Sequence, residues 1–217
     1  MKLETFKELA EKHNIHTDKI YDTSYHSQYE ILFDHWRNSE INILEIGVLR
    51  GDSLKLWAKA FPNAHIYGID TFERNSFEDV TQRLRGYETH SIQMAGVDSC
   101  FDDGYAVKSR DDFFNDIGDT KFHIIIDDGL HTKQAQVNTF HNFIHLLKDD
   151  GIYIVEDILD DGGHLEYVKQ NIANLNILNM NHLRSADNHQ DNILGLWYND
   201  DVLSKQEEIC QKNIQKN

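Results

Sequence analysis

The polarity pattern of this chain alternates between short strand-like runs and apolar stripes at helical spacing. The strand-like runs are Ile41–Gly47, Ala64–Asp70, Ile124–Ile126 and Gly151–Val155, with a weaker one over Thr89–Met94. Ile177–Arg184 and Asn192–Tyr198 read as two further strands joined by a polar turn over Ala186–Asp191. Helical spacing predicts Lys2–His13, with Leu3, Phe6, Leu9 and Ala10 on one stripe, and then Tyr29–Trp36. A helix capped by Asp52 or Ser53 carries Leu54, Trp57, Ala58 and Phe61 inward. Further helices are predicted over Phe77–Arg85, from an Asp111 cap to Ile117, over Thr132–Leu147 and over His164–Leu175. Strands alternating with helices predict an α/β domain over residues 37–217, behind a helical segment over 1–36. Ser99–Arg110 reads as a surface loop, Asp160–Gly163 as a flexible connection, and Asp201–Asn217 as a polar helix or a fraying end. Within the N-terminal segment, Thr17–Tyr29 is dense in tyrosines and hydroxyls. It is either a lid for a polar site or an ordinary helix cap.

The apolar runs end in acids. Ile124-Ile125-Ile126 leads into Asp127-Asp128-Gly129-Leu130-His131, and Gly151–Val155 leads into Glu156-Asp157. A buried parallel strand leaves its polar residues at its carboxyl end, where open α/β sheets bind ligands. If these two strands are neighbours, four carboxylates converge on one rim with His131 beside them. Like charges in one place repel unless something positive sits among them. Carboxylates without cysteine ligands suit a hard cation, Mg²⁺, Mn²⁺ or Ca²⁺, rather than a closed zinc site. A single acid pair is more simply a helix cap or a solvated strand end. Two pairs on similar strands, one of them followed by His131, favour a site.

The first strand has the same kind of ending. Glu45, Gly47 and Gly51 form E-x-G-x-x-x-G before a helix, and Asp70 closes the next strand 19 residues after Gly51 (70 − 51). That spacing suits an acid on ribose hydroxyls. A dinucleotide fingerprint requires bare backbone for pyrophosphate, and its other glycine positions here hold Leu49 and Asp52. Glu45 places a negative charge where pyrophosphate would sit. S-adenosylmethionine, with an ammonium, a sulfonium and an adenosine, matches the pattern better. Asp98, after the weak third strand, is either an adenine partner or a turn residue.

Composition narrows the partners. The chain has 217 residues, 40% hydrophobic and 27% charged, enough for one folded domain. A net charge of −16 disfavours nucleic acid and anionic membranes and favours a small-molecule partner. Cys100 and Cys210 form no ligand cluster, which fits a reducing cytosol. Met1–Ile15 lacks the apolar core of a signal peptide, so a cytoplasmic location is expected. The Leu3/Phe6/Leu9 stripe is open to two readings, an interface in a homo-oligomer or packing within its own chain.

Between Thr17-Asp18-Lys19 and Asp157 the sequence resembles class I S-adenosylmethionine-dependent methyltransferases. It is most similar to the metal-dependent sugar O-methyltransferases of the macrocin and mycinamicin type. The motifs that carry the resemblance are Leu44–Val48, Gly51–Leu54 with Trp57, Phe61–Ala64, Tyr67–Asp70, Asp127–His131 and Tyr153–Asp157. The resemblance implies a Rossmann-like fold: a seven-stranded, mostly parallel sheet in order 3-2-1-4-5-7-6, its last strand antiparallel, with helices on both faces. It also implies that Asp128, Glu156 and Asp157 hold the metal and that His131 is the general base, with Asp128 as its catalytic neighbour. Glu45, Gly47, Gly51, Ser53, Asp70 and Asp98 would bind S-adenosylmethionine, and Asp127 would orient the site or the cofactor. Leu130 stands where the family often has a small residue, and Ile20 where it normally has glycine. The family's longer N-terminal region is expected to be missing. These departures bear on the acceptor more than on the chemistry. The activity so implied is Mg²⁺-dependent O-methylation of a sugar or sugar-containing small molecule. The rivals are a catechol or phenol methyltransferase, a metal-dependent phosphohydrolase and a non-catalytic cofactor-binding protein.

Overall fold

The computed structural model describes residues 3–87, 91–101, 109–183 and 191–198. Thr89 and His90, residues 102–108, 184–190 and the tail with Cys210 lie outside them, so the readings made there are not developed further.

Seven strands form one sheet: β1 Asn42–Ile46, β2 His65–Asp70, β3 Ser91–Gly96, β4 Phe122–Asp127, β5 Leu147–Val155, β6 Asn176–Asn179 and β7 Ile193–Tyr198. Their order is β3-β2-β1-β4-β5-β7-β6, with β7 antiparallel to both of its neighbours. The expected sheet is therefore the observed one. β1 to β5 are parallel because each crossover carries a helix back over a face. Alternate strand residues point to opposite faces and build two cores. Ile43, Ile124, Ile126, Ile152 and Ile154 meet Phe6, Tyr29, Phe33, Trp57 and Phe61 on one face. Leu44, Ile125, Tyr153 and Val155 meet Phe113, Val137, Phe140, Phe143 and Val168 on the other.

The helices are α1 Phe6–His13, α2 Asp18–Tyr21, α3 His26–Phe33, α4 Asp52–Ala60, α5 Phe77–Arg83, α6 Arg110–Ile117, α7 Lys133–Phe143 and α8 His164–Asn171. Several begin elsewhere than the sequence pattern suggests. Thr5 and Glu8 form a reciprocal capping box, so α1 starts at Phe6 and Leu3 is left exposed. Phe6, Leu9 and Ala10 are buried within their own chain. Gly51, with φ of 79°, takes the cap position of α4, and Asp52 is already helical. Ser109, not Asp111, caps α6. β5 begins at Leu147 and runs through Asp149 and Asp150, ahead of the apolar run that starts at Gly151. Arg37 ties the N-terminal helices to α4, donating Nε to the Ala60 carbonyl at 2.8 Å and Nη2 to that of Glu4 at 2.9 Å. Among the described residues no helix is long and apolar enough to cross a membrane.

Two turns at the carboxyl edge are packed against each other. The Gly47 amide donates to the Ile69 carbonyl at 2.8 Å, and the Asp128 amide to the Ile46 carbonyl at 2.8 Å. Gly47 has φ of 92°, and a Cβ there would run into the Asp128 carbonyl. Only glycine satisfies both demands. Gly47→Ala is expected to cost about 2 kcal/mol or more of stability, read as a shifted denaturant midpoint. A loss below about 0.5 kcal/mol, typical of a free surface position, would contradict this packing.

Candidate active site

β4 and β5 are adjacent and parallel, with Asp127 paired to Val155 and the Glu156 amide donating to the Asp127 carbonyl at 2.9 Å. This register brings Asp127, Asp128, Glu156 and Asp157 to one edge, with His131 a turn beyond. The four acids do not share one environment, because successive residues face opposite sides of the sheet.

Asp127 is buried beneath the Asp128–Gly129 turn. Its Oδ1 accepts from the Gly129 amide at 3.3 Å, and its Oδ2 is buried without a hydrogen-bond partner. Burial holds its carboxyl well above the usual range, with the Asp128 charge adding to the shift and the Gly129 amide opposing it.

Asp128 and Glu156 face the N-terminal helices, and there they meet Lys19. This side chain is 1% exposed. Its Nζ donates to Asp128 Oδ2 at 2.5 Å and to Glu156 Oε2 at 2.8 Å, and lies 3.7 Å from Glu45 Oε1. Tyr29 donates its hydroxyl to the other Glu156 oxygen at 2.5 Å. Tyr25 donates to Asp157 Oδ1 at 2.8 Å and accepts from the Asp157 amide at 3.3 Å. That grip holds Asp157 at φ of 55°, strained backbone of the kind found at functional sites. The tyrosine-dense segment is thus the inner wall of the site.

Burial opposes the charge on Lys19, but Asp128, Glu156, Glu45 and Asp18 outweigh it and hold its pKa well above the ordinary value. Burial pushes Asp128 and Glu156 up despite the pull of Lys19. Asp157 is pushed up to about 6, first by burial and then by the Asp128 charge, against the pull of His131.

The outward oxygens are left on the solvent side. His131 Nε2 lies 3.7 Å from Asp128 Oδ1, and its Nδ1 3.6 Å from Asp157 Oδ2. The His131 side chain is 40% exposed. One ligand atom each from Asp128, His131 and Asp157 falls within a 4.8 Å cluster; the two carboxylate oxygens suit a hard divalent cation, with the imidazole beside them. Glu156, assigned to the metal by resemblance, has both oxygens turned inward.

The expected cofactor residues stand along the ends of β1, β2 and β3. Glu45 is fully buried. Its Oε2 accepts from the Trp57 indole at 3.2 Å, and burial pushes its pKa up to about 7 against the charge of Lys19. Ser53 is buried as well and favours the charged form of the same carboxylate. Asp70 braces the glycine turn: Oδ2 accepts from the Val48 and Leu49 amides at 2.9 Å each, and Oδ1 from Phe72 at 2.8 Å. Asp98, half-buried, accepts from the Cys100 amide at 2.9 Å. Lys19, Tyr25 and Tyr29 were not singled out as site residues from the sequence. The available signal was a lysine beside Ile20 on a short helix and two tyrosines four apart.

In the ion-free protein the folded state binds the Asp157 proton more tightly than the unfolded chain does. The stability this gives is present near pH 4 and is lost as pH rises through about 6. Measured in chelator, wild type is expected to lose on the order of 2 kcal/mol relative to Asp157→Asn across that window and none above it. A pH-independent difference would contradict the buried placement of Asp157.

A family described as a methyltransferase domain matches residues 44–158, more than half of the chain. The chain is 27% identical over 137 residues to the 8-demethyl-8-(2-methoxy-alpha-L-rhamnosyl)-tetracenomycin-C 3'-O-methyltransferase of Streptomyces olivaceus, covering 60% of this chain and 31% of that protein. It is 28% identical over 137 residues to the mycinamicin VI 2''-O-methyltransferase of Micromonospora griseorubida, covering 60% and 30%. The chain therefore spans about a third of the length of the curated relatives it matches. In fold it is similar to the MycE methyltransferase of the mycinamycin biosynthetic pathway, solved with Mg and SAH. That match has a TM-score of 0.54 and 24% identity, and covers 72% of this chain and 38% of that one.

Proposed function

The chain belongs to this methyltransferase-domain family, and we propose that it moves the methyl group of S-adenosylmethionine to a hydroxyl of a sugar or sugar-bearing small molecule, with Mg²⁺ or Mn²⁺ at the acid cluster. The observation that carries this reading is the convergence of Asp128, His131 and Asp157 beside the glycine turn of β1. The named relatives act on glycosylated natural products, which supports a sugar-bearing acceptor here.

The parts divide the work. The turn from Gly47 to Gly51, Asp70 and Asp98 lie where the adenosine end of the cofactor would sit, braced from beneath by Glu45 and Ser53. Asp128 and Asp157 offer the outward oxygens for the cation, while Glu156 stands behind them with its own oxygens held by Lys19 and Tyr29. A divalent cation there supplies a lowered pKa for a coordinated hydroxyl and a fixed orientation for it. His131 receives the hydroxyl proton on an imidazole nitrogen. S-adenosylmethionine, when bound, would supply the methyl group on its sulfonium and would be left as a neutral thioether. General-base help of this kind is typically worth about 10²–10⁴-fold, and in-line placement contributes separately. Asp127 holds the Asp128–Gly129 turn from behind.

His131→Ala is expected to lower methyl transfer by at least about 10²-fold with S-adenosylmethionine affinity unchanged within about threefold, and chelation is expected to abolish turnover reversibly. The assay pairs a glycoside panel with calorimetric binding of the cofactor. Near-normal turnover of the variant would remove His131 from the mechanism. Methylation of catechols with no glycoside accepted would reassign the acceptor.

A further inference from the structure

The acid cluster has two layers, separated by the direction each carboxylate oxygen faces. Asp128 Oδ2 and both oxygens of Glu156 point inward, to Lys19 and Tyr29. Asp157 Oδ1 points inward to Tyr25. Asp128 Oδ1 and Asp157 Oδ2 are the oxygens nearest His131. The inner layer therefore contains a cation already, supplied by the chain itself.

Its position is fixed from several sides. The Lys19 amide donates to Asp18 Oδ1 at 2.8 Å, and its carbonyl lies 3.1 Å from His26 Nδ1. Ile20 beside it is buried, and Asn192 Nδ2 holds the following turn by donating to the Thr23 carbonyl at 3.0 Å. An ammonium so placed is not a mobile surface charge that found a partner. A buried carboxylate that loses its counter-charge is left uncompensated, which a folded chain tolerates poorly.

We propose that Lys19 is a resident cation of the site: it holds the inward oxygens of Asp128 and Glu156, so that the acids assemble without a divalent ion and present Asp128 Oδ1 and Asp157 Oδ2 outward to one. Lys19 is thus a positioning residue that acts through the carboxylates and touches neither cofactor nor acceptor. Its role in assembly stands on the ion pairs alone, whereas the outward metal rests on the function proposed above. In this arrangement metal loading and folding are separate events, and the ion-free protein is a folded state ready for loading.

The test is thermal unfolding of the full chain, in Mn²⁺ and in chelator, for wild type and Lys19→Met, which keeps side-chain length and loses the charge. Wild type is expected to show only the rise that ligand binding gives by mass action. In Lys19→Met the chelated protein is expected to melt well below wild type, with Mn²⁺ recovering much of the loss. The Mn²⁺-induced shift should exceed that of wild type by at least about 5 °C. The double variant Lys19→Met/Glu156→Gln is expected to regain part of the loss in chelator, a readout that needs no divalent ion. Equal Mn²⁺ shifts in wild type and Lys19→Met, with no recovery in the double variant, would overturn the proposal. If Lys19→Met yields no folded protein, wild type decides: folded and cooperative in chelator supports the proposal, and unfolded in chelator overturns it. A wild type that melts identically in Mn²⁺ and chelator counts against the metal reading, while the double variant still tests Lys19.

Discussion

Like-charge repulsion at the carboxyl edge of β4 and β5 is the constraint around which this molecule is arranged. The sheet register forces Asp128, Glu156 and Asp157 together, with Glu45 one strand away. Three devices answer the repulsion. Alternation sends Asp127 to the opposite face. Lys19 carries a full positive charge into the middle of the remainder. Tyr25 and Tyr29 donate hydroxyls to the acids that Lys19 does not saturate. What is left over faces outward as two oxygens and an imidazole. A site of this kind is preorganised because Lys19, Tyr25 and Tyr29 hold its acids before any ligand arrives.

Much of the fold could be read from the chain. Continuous apolar strands, helical stripes between them and acids at the strand ends identify a parallel α/β sheet with its functional edge. The resemblance adds the strand order, including the reversed β7. Helix starts were less legible, since caps are decided locally by competing candidates. Gly51 displaced Asp52 and Ser53 as the cap of α4 because a left-handed residue was needed after Val48. Ser109 outcompeted Asp111 for the cap of α6.

The inner wall of the site was not legible, for a different reason. Lys19 meets Asp128 across 109 residues of sequence, Tyr25 meets Asp157 across 132, and Tyr29 meets Glu156 across 127. No local pattern encodes such pairings. They arise because the N-terminal helices cover the same sheet face to which Glu45, Asp128 and Glu156 point. Lys19 follows Asp18 and precedes Ile20 in a tyrosine- and hydroxyl-rich stretch, and it acquires meaning only once the carboxylates opposite are known. For the same reason Glu45 and Glu156 read as ligand-facing acids in the sequence, whereas in the fold their charges are answered from within the chain.

We propose that the outward oxygens of Asp128 and Asp157 form a divalent-cation site beside His131, on a scaffold completed by Lys19. Crystals grown with Mn²⁺ and examined by anomalous diffraction test it most directly. One strong peak is expected within coordination distance of both Asp128 and Asp157, with Lys19 still paired to Glu156. An anomalous map with no peak there, in crystals where the fold is intact and Mn²⁺ is in excess, would contradict it.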